Sequence, residues 1–410
     1  MKAHIFIAAA LIAAALPAHG QNVAPGSADM DGTAAVPMGR TESMLREIER
    51  NNTTLEALRQ TADAEKIGNR TGILLSDPEI GFSYLWGGPA SIGNRQDVSV
   101  SQAFDFGTVS GLKRKVADSR NSLVEWEYMA ERMNILLDAK LCCIGLVHSN
   151  ALIGTLETRR DNADATMRSQ SSRLEHGEGN IVEYNSALLN LTAAENELTR
   201  ARAEHEVLLS QLASLNGGIR SDFSETVYDV TCFPESFELW YAEAEGKNPV
   251  LAYVRAEIEL SRKELSLSRT ENLPSLSVGY MGEFTLGQRY QGISFGISVP
   301  LWSNARKVRR AKASVQAAES REKDARQQFY SRLETQYIRA AALKDVAQKS
   351  RAALERADNR DLLEKALELG QISVSEYIVS VELYYDALKQ TLDAEKEYQE
   401  ALAELYSYEL

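Results

Sequence analysis

Beyond its first twenty residues this 410-residue chain has no stretch that approaches 18 consecutive apolar residues, so no transmembrane helix is expected. Any membrane span would have to be β. Proline and glycine are also sparse, 9 and 25 residues respectively, which predicts long uninterrupted elements. Ala, Leu, Glu and Arg dominate the second half, as helices prefer. Basic charge is in deficit: 45 Lys and Arg against 58 Asp and Glu leave a formal charge of −13. With no Lys/Arg cluster interleaved with aromatics, a nucleic-acid partner is set aside. Histidine is rarer still, only His148, His176 and His205 past residue 20, and there is no HExxH, no GxSxG, no phosphate-cradling Gly loop and no close Cys/His arrangement. The chain is therefore not expected to be an enzyme or to carry a cofactor or metal. Cys142, Cys143 and Cys232 are an odd count. Adjacent side chains on a helix diverge by about 100°, so Cys142 and Cys143 read as packed thiols rather than a bridge.

Residues 1–20 read as a secretory signal: Lys2, an apolar run from Ile5 to Leu16, the breaker Pro17, then small residues around His19. No Cys near that junction points to a lipid anchor. Residues 21–40, rich in Pro, Gly, Ala and Ser without periodicity, form a flexible spacer. From residue 41 the same order of elements occurs twice, in a first repeat at 41–216 and a second at 248–410, separated by an equatorial linker at 217–247.

Each repeat opens with a helix, about 41–67 and 249–270, ending before an X-Pro step at Asp77-Pro78 or Leu273-Pro274 that starts extended structure. The β-hairpins follow at 78–106 and 274–301. Ile80, Phe82, Tyr84 and Trp86 alternate with Gly81, Ser83 and Leu85, and Ile293, Phe295, Ile297 and Val299 alternate with Ser294, Gly296 and Ser298. Gly287 to Gln291 are read as the second turn. Strands of about ten residues, apolar on one face and small or polar on the other, have the length and period of transmembrane strands. Tyr84, Trp86, Tyr280, Tyr290 and Trp302 supply a candidate aromatic girdle at the contact with outer-membrane lipid. Four strands cannot close a barrel, and lipid tolerates no unpaired edge, so several chains must contribute.

Each hairpin feeds a long helical hairpin, 108–215 and 304–410, whose first arm runs unbroken for more than sixty residues to a matching stop. The tips are Gly177 followed by the N-cap Asn180, and Gly370 followed by the N-cap Ser373. Val308, Ala311, Val315 and Ala318, and in the last arm Val374, Ile378, Val381 and Tyr385, keep coiled-coil spacing. Acidic residues with basic partners, Glu395 near Lys396 and Glu397 near Lys389, are expected along solvated faces.

With these features in place, the chain from about residue 41 resembles the outer-membrane efflux proteins of the TolC type. The most specific stretch is Asn248-Pro249-Val250-Leu251 through Leu273-Pro274-Ser275-Leu276, and Asp77-Pro78-Glu79-Ile80 is similar to the matching strand start of the first repeat. The resemblance implies a mostly α protein with membrane β, a homotrimer whose twelve-stranded barrel continues into a twelve-helix periplasmic tunnel. It implies an outer-membrane duct of a tripartite efflux or secretion system, with a periplasmic adaptor protein docked at the tips and an inner-membrane pump supplying the energy. It also implies an acidic ring at the periplasmic entrance, six residues after each turn Gly, on Glu183 and Glu376; one helical turn further, where the family is also acidic, this sequence departs from the pattern with Ser186 and Val379. The alternatives are a trimeric adhesin, which would gather its strands at the C-terminus, and a periplasmic structural coiled-coil protein.

Overall fold

The computed structural model describes residues 39–104, 107–285, 287–300 and 306–410. The expected signal at 1–20 lies outside them, as do Trp302 and all of the spacer up to Met38. Helix α1 (Arg40–Asn51) and α2 (Thr53–Gly68) precede strands β1 (Glu79–Leu85) and β2 (Arg95–Phe104), the long helix α3 (Gly107–Glu175) and its return α4 (Ile181–Leu215). Helix α5 (Phe237–Lys247) crosses the linker. Helix α6 (Pro249–Thr270), strands β3 (Ser275–Thr285) and β4 (Gln288–Ser298), then α7 (Lys307–Ala357), α8 (Arg360–Glu368) and α9 (Val374–Leu405) repeat the order. At about 1.5 Å per residue α3 is about 100 Å long.

Three expected elements differ in detail. The helix read at 41–67 is two helices, because Asn52 takes an extended conformation and caps α2, its carboxamide oxygen accepting from Leu55 N–H at 2.8 Å. The arm read as unbroken from 304 to 369 divides at Asp358 and Asn359. Asp358 is extended, and its carboxylate takes two hydrogen bonds from the Arg360 guanidinium at 2.9 and 2.8 Å. A short polar side chain that satisfies itself locally competes with the helix ladder. The second hairpin turn is tighter than 287–291, since β4 already begins at Gln288 and Gly287 has φ +76°.

The four strands form one antiparallel sheet in sequence order, so that β2 of the first repeat pairs with β3 of the second. The helices pack as α3 on α4, α7 on α9, and α6 between α3 and α7, with α8 on α9. One core gathers Met44, Ile48, Cys143, Leu146 and Leu212 where α1 meets α3 and α4. By composition, α3 holds the one stretch among the described residues long and apolar enough to cross a membrane, but half of it is buried within the chain; Ala139, Cys142, Cys143, Leu146 and Val147 lie in this core. A second core packs Trp240 and Tyr241 of α5 against Leu333 and Ala340 of α7 and Leu405 of α9, with Phe237, Tyr330 and Tyr337 around them. Burying this aromatic group fastens the linker to the second repeat.

The corner between α4 and the linker is held by a polar knot. Buried Asn216 accepts from Asn51 Nδ2 at 3.0 Å and donates to Glu47 Oε1 at 2.9 Å, while Asn52 Nδ2 donates to the Leu215 carbonyl at 2.8 Å. Gly217 follows with φ +66°, and a Cβ there would stand 2.3 Å from the Asn51 carbonyl oxygen, so only glycine lets the two backbones approach.

Candidate functional site: a one-sided sheet and two helical tips

Register assigns every strand residue to a face, because directly paired residues share one side and neighbours along a strand alternate. Ile80 pairs with Val100, Val100 with Tyr280, and Tyr280 with Ile293; Phe82 pairs with Val98, and Val278 with Phe295. All lie on one face, and most are exposed: Ile80 is 76 % exposed, Phe295 79 % and Ile293 72 %. The opposite face is mostly small or polar, with Ser83, Asp97, Ser99, Ser101, Ser277, Gly279, Ser294 and Gly296, and with Leu85 and Met281 as its large apolar exceptions. A water-soluble sheet would bury such an apolar face against another layer, and among the described residues no helix packs on it. Among the described residues, β1 and β4 each keep an unpaired outer edge.

The same register divides the expected girdle aromatics. Tyr84 stands on the apolar side at the hairpin end, and the ring of Trp86, just past β1, meets it edge to face at 5.7 Å. Tyr280 shares that face but sits in mid-strand, its hydroxyl donating to Gln291 at 3.0 Å. Tyr290 is on the small, polar face, directly opposite Glu283, because it lies an odd number of residues from Ile293. Sequence alternation alone could not reveal this, since the turn was read too long.

At the far end the two tips have the same backbone. Gly177 (φ +77°) donates to the Leu174 carbonyl while Glu178 N–H reaches Arg173, and Gly370 (φ +65°) donates to Leu367 while Gln371 N–H reaches Ala366. Both are Schellman stops. The next helices begin differently. Asn180 caps α4 through Val182 N–H at 2.9 Å and leaves Glu183 without a hydrogen bond or ion pair among the described residues. Ser373 forms a full capping box: Glu376 N–H donates to its Oγ at 3.2 Å, and the Glu376 carboxylate accepts from Ser373 N–H at 2.8 Å. Those hydrogen bonds hold the Glu376 carboxyl below its ordinary pKa. Ser186 turns its hydroxyl back to the Val182 carbonyl, and Val379 is exposed.

Between tip and sheet the two helical hairpins are tied by side chains that sequence spacing did not single out. Arg159 of α3 contacts Glu197 of α4 at 2.6 Å and Glu382 of α9 at 3.8 Å, and Lys389 of α9 reaches Glu197 at 2.9 Å. His148 Nε2 lies 2.8 Å from Asp393 Oδ1, and burial pulls its pKa down. The expected local ion pairs are replaced accordingly: Glu395 is bound by Arg351 through two hydrogen bonds of 2.7 and 2.6 Å, and Lys396 pairs with Glu400. An arginine fork on a neighbouring helix outcompetes a flexible lysine on the same one. Among the described residues no group of His, Cys, Asp and Glu is arranged to hold a metal. Cys142 and Cys143 are free and buried, with burial pushing their thiols up to about 11 and about 12.

Residues 240–408 match the family model of the outer membrane efflux protein, which meets the resemblance drawn from Asn248 to Leu276. Among curated protein sequences none matches the chain. The fold is shared with solved outer-membrane channels. It is similar to CmeC of Campylobacter jejuni at 16 % identity, covering 90 % of this chain and 85 % of that one with a TM-score of 0.69. For the outer membrane protein VceC of Vibrio cholerae the values are 14 %, 90 %, 95 % and 0.70, and for the MtrE outer membrane channel of Neisseria gonorrhoeae 15 %, 90 %, 88 % and 0.67.

Proposed function

From a chain whose second half matches the outer membrane efflux proteins and whose fold is that of outer-membrane channels, we propose one protomer of an efflux duct that crosses the outer membrane and extends into the periplasm. The observation that carries this reading is the sheet: one exposed apolar face, one small polar face and two free edges. In lipid those edges must be paired, and copies of the chain can pair β1 of one with β4 of the next. Three copies supply twelve strands, and the helical hairpins continue the lumen as a twelve-helix tunnel. Strands β2, β3 and β4, of 10, 11 and 11 residues, tilted as in such barrels, span about 25 Å of hydrocarbon, while β1 is shorter at 7.

The tips at Gly177–Asn180 and Gly370–Ser373 are the docking surface for a periplasmic adaptor, and through it for an inner-membrane pump. Glu183 and Glu376 line the entrance. Their roles differ, because Glu376 is held on its own N-cap while Glu183 is free to turn toward the axis. The chain does no chemistry of its own. Membrane fractionation tests the duct: recovery in the outer membrane as a trimer is expected, and recovery solely as a soluble periplasmic monomer would overturn the reading. For the entrance, Glu183→Gln with Glu376→Gln should lower cation selectivity in a planar bilayer, with Glu183→Gln giving the larger share; unchanged selectivity removes the gate assignment.

A further inference from the structure

Near the turn end of the sheet, one row on the small face sets two carboxylates against each other. Reading across β1 to β4 in register, it is Ser83, Asp97, Glu283 and Tyr290. Asp97 and Glu283 are directly opposed, an arrangement that like charges destabilise unless a cation bridges them. Arg95 does so, with Nε 2.8 Å from Asp97 Oδ1 and Nη2 3.1 Å from Glu283 Oε2, while Ser83 Oγ stands 3.4 Å from Asp97 Oδ2. Two carboxylates and one guanidinium leave one net negative charge, and all three side chains remain partly open to solvent. Toward the helices the same face carries Ser99 opposite Met281, then a row of Glu79, Ser101, Gly279 and Ser294, in which the carboxylate of Glu79 faces a serine and not a second carboxylate.

We infer that this clamped row is an ion-selecting girdle inside the barrel near its outer mouth, with Arg95 as the residue that sets how strongly it favours cations. The inference rests on the duct reading, since only closure of the sheet with its apolar face to lipid turns the small face into a lumen. Three copies then place six carboxylates and three guanidiniums on one ring, at the end of the duct opposite the helical tips. Rings of charged side chains in a confined pore bias which ions pass. Removing the guanidiniums would double the net charge per protomer that the carboxylates leave unmatched. At a wall-to-axis distance of about 10 Å and about 0.1 M salt, where screening is already substantial, cation and anion permeability should each change about twofold in opposite senses, so that their ratio changes about fivefold, and more in dilute salt.

The test is the reversal potential of trimers in a planar bilayer under a potassium chloride gradient, in the Glu183→Gln/Glu376→Gln background so that the entrance adds little charge. Arg95→Gln should raise the cation preference, Asp97→Asn and Glu283→Gln should each lower it, and Arg95→Lys should leave it near the parent value. If Arg95→Gln does not assemble, the two carboxylate variants carry the test alone. Variants that form trimers and conduct with an unaltered ratio overturn the girdle while leaving the duct intact. A parent protein that forms no channel at all overturns the duct reading, and the girdle with it.

Discussion

Replacing Gly179 by Ala is expected to loosen the first tip more than the same change at Gly177, although Gly177 is the residue with the left-handed backbone. At Gly177 and Gly370 a Cβ would meet nothing within 4 Å, so the cost is conformational alone, about 1–2 kcal/mol for a side chain held at positive φ. At Gly179 a Cβ would lie 2.6 Å from Leu174 N and 2.9 Å from both Arg173 C and Leu174 Cα. All three are backbone atoms of the last turn of α3, which cannot swing aside as a side chain can. Relieving that overlap requires the 177–180 loop to lift from the helix end, at a cost of about 3 kcal/mol, the upper part of the range for overpacking. Because the tip is so remote from the main cores, a melting curve would scarcely register it. Hydrogen exchange at Leu174 to Tyr184 would, since local opening is what the loop controls. With about 1.4 kcal/mol per tenfold, exchange should quicken about 5- to 30-fold for Gly177→Ala and more than about 100-fold for Gly179→Ala. The reasoning is refuted if Gly179→Ala exchanges no faster than Gly177→Ala.

Leu146→Ala empties a fully buried site between α1, α3 and α4 and should cost about 2–5 kcal/mol, read by chemical denaturation; a loss under 1 kcal/mol would mean that the core collapses around the gap. His148 makes stability pH-dependent. Burial lowers its folded pKa, so the unfolded chain binds the proton more readily, and its contribution is complete above the unfolded value of about 6.5 and lost as pH falls below it. Denaturation of wild type and His148→Gln at several pH values between 8 and 5 should therefore show a steeper acid loss in the wild type, and parallel curves would dismiss it. A thiol reagent should modify exposed Cys232 rapidly and Cys142 and Cys143 only on unfolding, since both thiols are buried and held protonated.

Much of this molecule is legible in its sequence, and for physical reasons that are local. A period of two marks β1 to β4, scarce Pro and Gly mark the long helices, and a Gly followed three residues later by Asn or Ser marks both tips, because helix stops and caps depend on a few neighbouring residues. The break at Asp358 was less visible, since it depends on whether Arg360 clasps the aspartate or extends into solvent. The division of α1 from α2 at Asn52 depends likewise on Leu215, 163 residues away.

What only the tertiary structure decided is which residues stand opposite one another. The pairing of β2 with β3 joins strands separated by all of α3 and α4, and no turn fixes its register. Through that pairing Asp97 and Glu283 come together under Arg95, and through the tight turn at Gly287 Tyr290 moves from the apolar face to the polar one. The ties of Arg159 and His148 between the two helical hairpins, and of Arg351 between α7 and α9, are of the same kind. A strand or helix is specified by the free energy of its own backbone and spacing, which the sequence carries residue by residue. A contact between distant segments is specified by the packing of the whole chain, and only the folded molecule brings the two side chains within reach.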